Sequence, residues 1–151
     1  MDMRQVDPAT VRVWRWLTAS LAIPPGIGAM VAVFTDGGPW AVLPGAVAAA
    51  ALALAWVWPP LYYRHLRWRL DSTGIVIRRG VLWQSWIALP RTRIQHSDVY
   101  QGPLQRRFGV GTLKLYTAGT RHTRIELPGL AHADALKLRD ALLAEDDGRG
   151  A

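Results

Sequence analysis

The sequence predicts a membrane-anchored α+β protein: an N-terminal two-helix transmembrane hairpin, then a bent antiparallel β-sheet or barrel capped by a C-terminal helix. Three observations predict it. Two uncharged apolar runs fill most of the chain up to Tyr63, Arg-rich strand-like segments set in from Arg64, and one amphipathic helical pattern follows the last of them. A chain of 151 residues has room for an anchor and one small domain. The expected division is a cytoplasmic arm over 1–15, the hairpin over 16–63, the domain over 64–145 and a disordered tail over 146–151.

The first run, Trp16 to Phe34, holds no charge. As a helix it spans about 28 Å, close to the thickness of a hydrocarbon core. Pro24-Pro25 should kink or locally break it, because proline brings no N–H to the helical ladder. The second run, Gly37 to Tyr63, predicts a helix over about Trp40–Trp58, and Thr35 to Pro39 reads as a tight polar turn between the two. Trp14 and Trp16 at one end, Trp40 after the turn, and Trp56, Trp58, Tyr62 and Tyr63 at the exit form interfacial anchors, since amphipathic rings favour the headgroup level. Two buried helices of a soluble protein would need more covering chain than remains. A cleaved signal peptide fits poorly, because a second span follows at once.

Charge sets the orientation. Arg4, Arg12 and Arg15 precede the first span, Arg64, Arg67 and Arg69 follow the second, and the turn between carries only Asp36. Positive flanks stay inside, so both termini of this multi-pass protein are expected in the cytoplasm. After Tyr63 there are 15 Lys+Arg against 8 Asp+Glu, which places the formal net charge of +7 in the domain. Such a domain prefers anionic partners. The strong preference for Arg over Lys, with abundant Ala and Gly, reads as a GC-rich bacterial genome and therefore a bacterial cell membrane. The absence of cysteine excludes disulfides, thiolate metal sites and thiol nucleophiles.

In the domain, β segments are expected at Leu66–Leu70, Ile75–Ile77, Leu82–Leu89, Ile94–Gln101, Thr112–Thr117 and Thr123–Leu127. Turns are expected at Asp71-Ser72-Thr73-Gly74, Gly102-Pro103 and Ala118-Gly119, and Pro128-Gly129 should end the sheet. A helix over about His132–Glu145 then carries Ala131, Ala135, Leu138 and Leu142 on one stripe. It would plug the open end of the curled sheet.

These residues resemble a known family. Leu70-Asp71-Ser72-Thr73-Gly74-Ile75-Val76-Ile77-Arg78-Arg79-Gly80 resembles the first hairpin of the bacterial pleckstrin-homology (PH) domain family, and Ala88 to Gln95 is similar to its "v-P-l-x-R-I-Q" segment. Gln101-Gly102-Pro103-Leu104-Gln105-Arg106-Arg107-Phe108-Gly109-Val110-Gly111-Thr112 is similar to its "q-G-P-l-q-R-x-F-G-l-g-t" signature. Two spans before such a domain match the YdbS-like membrane-anchored type. The resemblance covers roughly Leu61 to Leu143 and implies a seven-stranded, strongly bent sheet with a C-terminal helix and no catalytic activity. One departure matters. The loop Asp71–Gly74 lacks the basic residues with which eukaryotic members hold phosphoinositides, so that lipid site does not carry over.

No catalytic constellation is expected. In His96-Ser97-Asp98, alternation along a strand puts Ser97 on the face opposite the other two. His65, His96, His122 and His132 lack metal-ligand spacing, and neither a metal nor a cofactor is expected. Gly109-Val110-Gly111-Thr112 has no lysine for a phosphate loop, and nothing resembles a DNA-reading helix. The candidate contacts for lipid or partner are Arg78, Arg79, Arg91, Arg93, Arg106 and Arg107, near strand ends and turns, where guanidinium groups can hold phosphate. Arg106 could instead pin loop carbonyls. The expected function is a non-enzymatic membrane-anchored PH-like module for protein–protein assembly at the cytoplasmic face. Its partner would be a second copy or another membrane protein with PH-like domains. The alternative is recognition or handling of anionic lipid headgroups by the Arg-rich face.

Overall fold

A computed structural model describes residues 3–35, 38–117 and 124–144. Asp36 and Gly37, the Ala118-Gly119 turn with His122 and Thr123, and the stretch from Glu145 onward lie outside the described residues. The chain divides into two compact units, Val11–Leu61 and Met1–Thr10 together with Tyr62–Ala151.

The first unit is helical. Helix α1 (Ala9–Ala19) passes through a 3-10 turn at Ser20–Ala22 into α2 (Ile23–Phe34). The break falls where Pro24 and Pro25 occupy the first positions of α2, sites at which a missing N–H costs nothing. Ile23 N–H turns to the Ser20 carbonyl, and the Ser20 hydroxyl donates to Leu17 O at 2.7 Å. A second 3-10 turn, Gly38–Ala41, leads into α3 (Val42–His65). This helix runs beyond the expected end at Trp58. Pro59 and Pro60 lie inside it, their fixed φ compatible with a helix. The stretches Ala9–Phe34 and Gly38–His65, 26 and 28 residues long, are long and apolar enough to cross a membrane. Most of their large apolar side chains are exposed, as lipid-facing helices require.

Among its described residues the second unit holds two antiparallel sheets and two α-helices of its own. Strands β1 (Arg4–Gln5), β2 (Arg67–Asp71), β3 (Gly74–Arg79) and β4 (Ser85–Pro90) form one sheet in sequence order. Strands β5 (Ile94–Tyr100), β6 (Val110–Thr117) and β7 (Arg124–Ala131) form the other, and β4 is not paired with β5. The sheets are therefore not closed into a barrel. Alternation directs Ile75 and Ile77 of β3, Leu113 and Leu115 of β6, and Ile125 and Leu127 of β7 into one core. Helix α5 (His132–Leu143) lies on β5, β6 and β7 and adds Ala135, Leu138 and Leu142 to that core. Ala131 closes β7 rather than joining the helical stripe.

Three features depart from the expected strand plan. The first strand comes from Arg4–Gln5, ahead of the anchor, paired opposite Trp68 and Arg67. A five-residue helix, α4 (Pro103–Arg107), stands where only a turn was expected. Strand β7 continues through Pro128-Gly129 instead of ending there. Thr112 pairs with Pro128 and Gly111 with Leu130, so Gly129 is the extra residue of a bulge, at φ +85°. β7 is an edge strand, where proline is tolerated.

Candidate interaction surface

The hairpin joining β3 to β4 carries the largest exposed aromatic residues of the β unit. Its tip, Gly80 to Gln84, turns tightly. Gly80 has φ +108°, and a side chain there would collide with the Trp83 carbonyl, so glycine is the residue the turn accepts. The tip pushes Leu82 and Trp83 outward, 75% and 85% exposed, and Trp86 beside them on β4 is 60% exposed.

Strand register sets the charges around these rings. Arg67, Arg78 and Trp86 are successive cross-strand neighbours on the outer face of the sheet. The Arg78 guanidinium lies 5.0 Å from the centre of the Trp86 ring, and its Nη2 donates to Gln84 Oε1 at 3.0 Å. Arg79 is opposite Ser85. From Ser72 to Ser97 the sequence has four arginines and no Asp or Glu. The same register puts the tip at the end of the sheet where the chain arrives from α3, since Arg67, the first residue of β2, faces Arg78, next to the last residue of β3.

The six arginines singled out by sequence fall in three places. Arg78 and Arg79 are at this hairpin. Arg91 is at the opposite end of β3, where its N–H donates to Thr73 O at 3.1 Å and its Nη2 reaches Asp71 O at 3.4 Å. It holds the β2–β3 turn, and Arg93 is exposed two residues further on. Arg106 and Arg107 are exposed on α4, in the connection between strands of the other sheet. The pinning considered for Arg106 is done by its glutamine neighbours. Gln105 Oε1 accepts Gly102 N–H at 2.9 Å while its Nε2 donates to Thr112 Oγ1 at 3.0 Å, and Gln101 Nε2 donates to Val110 O at 2.9 Å. Much of the glutamine- and glycine-rich signature is thus a turn-building device.

Sequence reading missed Arg67, Leu82, Trp83 and Trp86 as surface residues. Leu82–Leu89 was expected to be all strand, yet β4 starts at Ser85. The available signal was the mixed alternation: as one strand, the segment puts Trp83 with Ile87 and Leu89 on one face and Leu82 with Trp86 on the other, leaving neither face polar. Of the expected membrane anchors, Trp16, Trp40, Trp56 and Trp58 are exposed, while Trp14, Tyr62 and Tyr63 are half-buried.

Chemistry elsewhere is sparse. His96 Nε2 lies 3.4 Å from Asp98 Oδ1 on the solvent face, and Ser97 points inward on the other. No group of three potential ligands gathers in metal-binding reach among the described residues.

A family profile described as the bacterial PH domain matches residues 26–146. The chain is also similar to the transmembrane protein YdbS of Bacillus subtilis (strain 168), at 27% identity over 144 residues, covering 91% of this chain and 89% of that protein. No solved structure matches.

Proposed function

The chain belongs to the bacterial PH domain family and is a membrane protein with transmembrane helices, and on that premise we propose that it is a non-enzymatic module whose PH-like domain docks on the anionic cytoplasmic surface of its own bilayer. The observation that carries this reading is the β3–β4 tip: exposed Leu82, Trp83 and Trp86 beside Arg78 and Arg79, at the end of the sheet where the chain leaves α3. Indole rings favour the headgroup layer. Guanidinium groups bind phosphate, and the inner leaflet attracts each cation by about 1 kcal/mol.

Orientation is supported by connectivity. Both ends of Val11–Leu61 join the same compact unit, which favours an even number of crossings. The arginines flanking the spans support a cytoplasmic position for that unit. Catalysis has no support in the His96–Ser97–Asp98 geometry, whose hydroxyl faces away from the imidazole.

The second reading is protein–protein assembly, with itself or with another membrane protein that carries PH-like domains. Trp83, Trp86 and Arg78 favour it, because Trp and Arg dominate binding hot spots. One experiment separates the two. The chain has no cysteine, so Gln84→Cys carries a single environment-sensitive dye at the tip of the full-length protein in nanodiscs. A blue shift with phosphatidylglycerol that fades with salt and is weak in phosphatidylcholine is the expected result. Equal emission in both lipids, with a crosslink from the introduced tip thiol to a protein, would replace lipid docking by assembly.

A further inference from the structure

A second feature, inside the helical unit, points to an individual lipid rather than a bilayer surface. Between α1 and α3 lies a groove of about 380 Å³, with Arg12, Arg15 and the Trp16 and Trp56 rings at one end and Ala19, Leu52 and Ala55 along its floor. It meets a second groove of about 370 Å³ that shares Ala19 and Leu52 and runs on past Ala22, Gly26 and Met30. The small side chains leave this track open. From Arg15 to Ile27 it extends about 18 Å along the helix, longer than the roughly 15 Å half-thickness of a hydrocarbon core.

The polar end is built differently from a solvated flank. The Arg15 guanidinium stacks 4.5 Å from the centre of the Trp56 ring, and its Nε is buried without a hydrogen-bond acceptor among the described residues. The one acid in the sequence of this unit is Asp36, which lies between α2 and α3. The stack holds the half-buried guanidinium at the rim of the groove, and a planar guanidinium matches phosphate oxygens through its terminal nitrogens.

We infer that this groove binds one anionic phospholipid, its phosphate on Arg15 and an acyl chain along Ala19, Leu52, Ala22 and Gly26. Charge selects the occupant: the groove joins the Arg15 guanidinium to an apolar track, which is the complement of an anionic lipid. An apolar helix from a second copy would offer the Arg15 guanidinium no counter-charge. The Trp56 stack fixes the guanidinium plane, so arginine and lysine are not equivalent here.

The test adds phosphatidylglycerol or phosphatidylcholine to delipidated full-length protein and counts retained lipid by native mass spectrometry. The expected result is about tenfold preference for phosphatidylglycerol, lost in Arg15→Gln and reduced in Arg15→Lys. Ala19→Leu keeps both arginines but fills the track, and it should lose retention as well. Arg139→Gln removes the same charge on α5 and should change nothing. Equal retention of the two lipids, or full retention in Arg15→Gln or Ala19→Leu, would overturn the proposal. A lipid-free dimer that Ala19→Leu dissociates would overturn it too.

Discussion

Thr10 Oγ1 donates to the Gly129 carbonyl at 2.9 Å, tying the residue just before the anchor to the β7 bulge across 119 positions of sequence. Asp7 N–H donates to the same carbonyl at 2.7 Å, and Asp7 Oδ1 accepts Ala9 N–H, capping α1. The anchor is thereby an insertion into the β unit, following its first strand.

This contact gives a stability prediction. A Cβ on Gly129 would sit 2.6 Å from Thr10 Oγ1, at a φ of +85°. Gly129→Ala should cost about 2 kcal/mol or more, from left-handed strain plus the clash. Thr10→Ala should cost about 1 kcal/mol for the lost hydrogen bond. The double variant should cost less than the sum, because removing the hydroxyl relieves the clash. Thermal unfolding in detergent measures all three, and strict additivity would disprove the coupling.

Within the signature turn, Gln105 matters more to folding than Arg106. Gln105→Ala removes the bonds to Gly102 N–H and Thr112 Oγ1 and should cost about 1–2 kcal/mol. Arg106→Gln, at an exposed site, should stay within about 0.5 kcal/mol. Amide exchange over residues 102–112 reads the difference.

For Trp83 the expectation runs the other way. Trp83→Ala should leave stability within about 0.5 kcal/mol, because the ring is exposed. The same change should reduce quenching of the tip by brominated lipids, leaving the share due to Trp86. In the unmodified tip, quenching should weaken between about 0.1 and 1 M salt, as the screening length falls from about 10 to 3 Å. A salt-independent signal would remove Arg78 and Arg79 from the contact.

Topology is open to direct labelling. On intact cells, Gly37→Cys should react with an impermeant maleimide, and Gln84→Cys should react only after permeabilisation. The reverse pattern would invert the cytoplasmic assignment.

How legible was this protein? The spans were plain, because their only physical requirement is uncharged length, and residues 16–34 and 37–63 meet it without any tertiary partner. Most β-unit strands were readable to within a few residues, since alternation at Leu113–Leu115 or Ile75–Ile77 records which face is buried. The candidate surface was half legible. Arg78 and Arg79 were marked by charge, but Trp83 and Trp86 fell inside the expected strand Leu82–Leu89. Exposure of Trp83 follows from the tight turn that Gly80 permits, and that of Trp86 from its pairing with Arg78 on the outer face, neither of which side-chain periodicity records.

By itself, then, the sequence determined the anchor, the α+β class, the charge asymmetry and the family resemblance, because hydropathy and periodicity are properties of neighbouring residues. Tertiary structure alone decided that Arg4–Gln5 is the first strand, that β7 runs through Pro128-Gly129, and that Arg91 holds a turn while Arg78 stacks on Trp86. The reason is common to all of these. Each depends on a hydrogen bond or ring contact whose partner is distant in sequence or across a strand register, and a two-residue strand or a proline at a bulge has no meaning until that partner is in place.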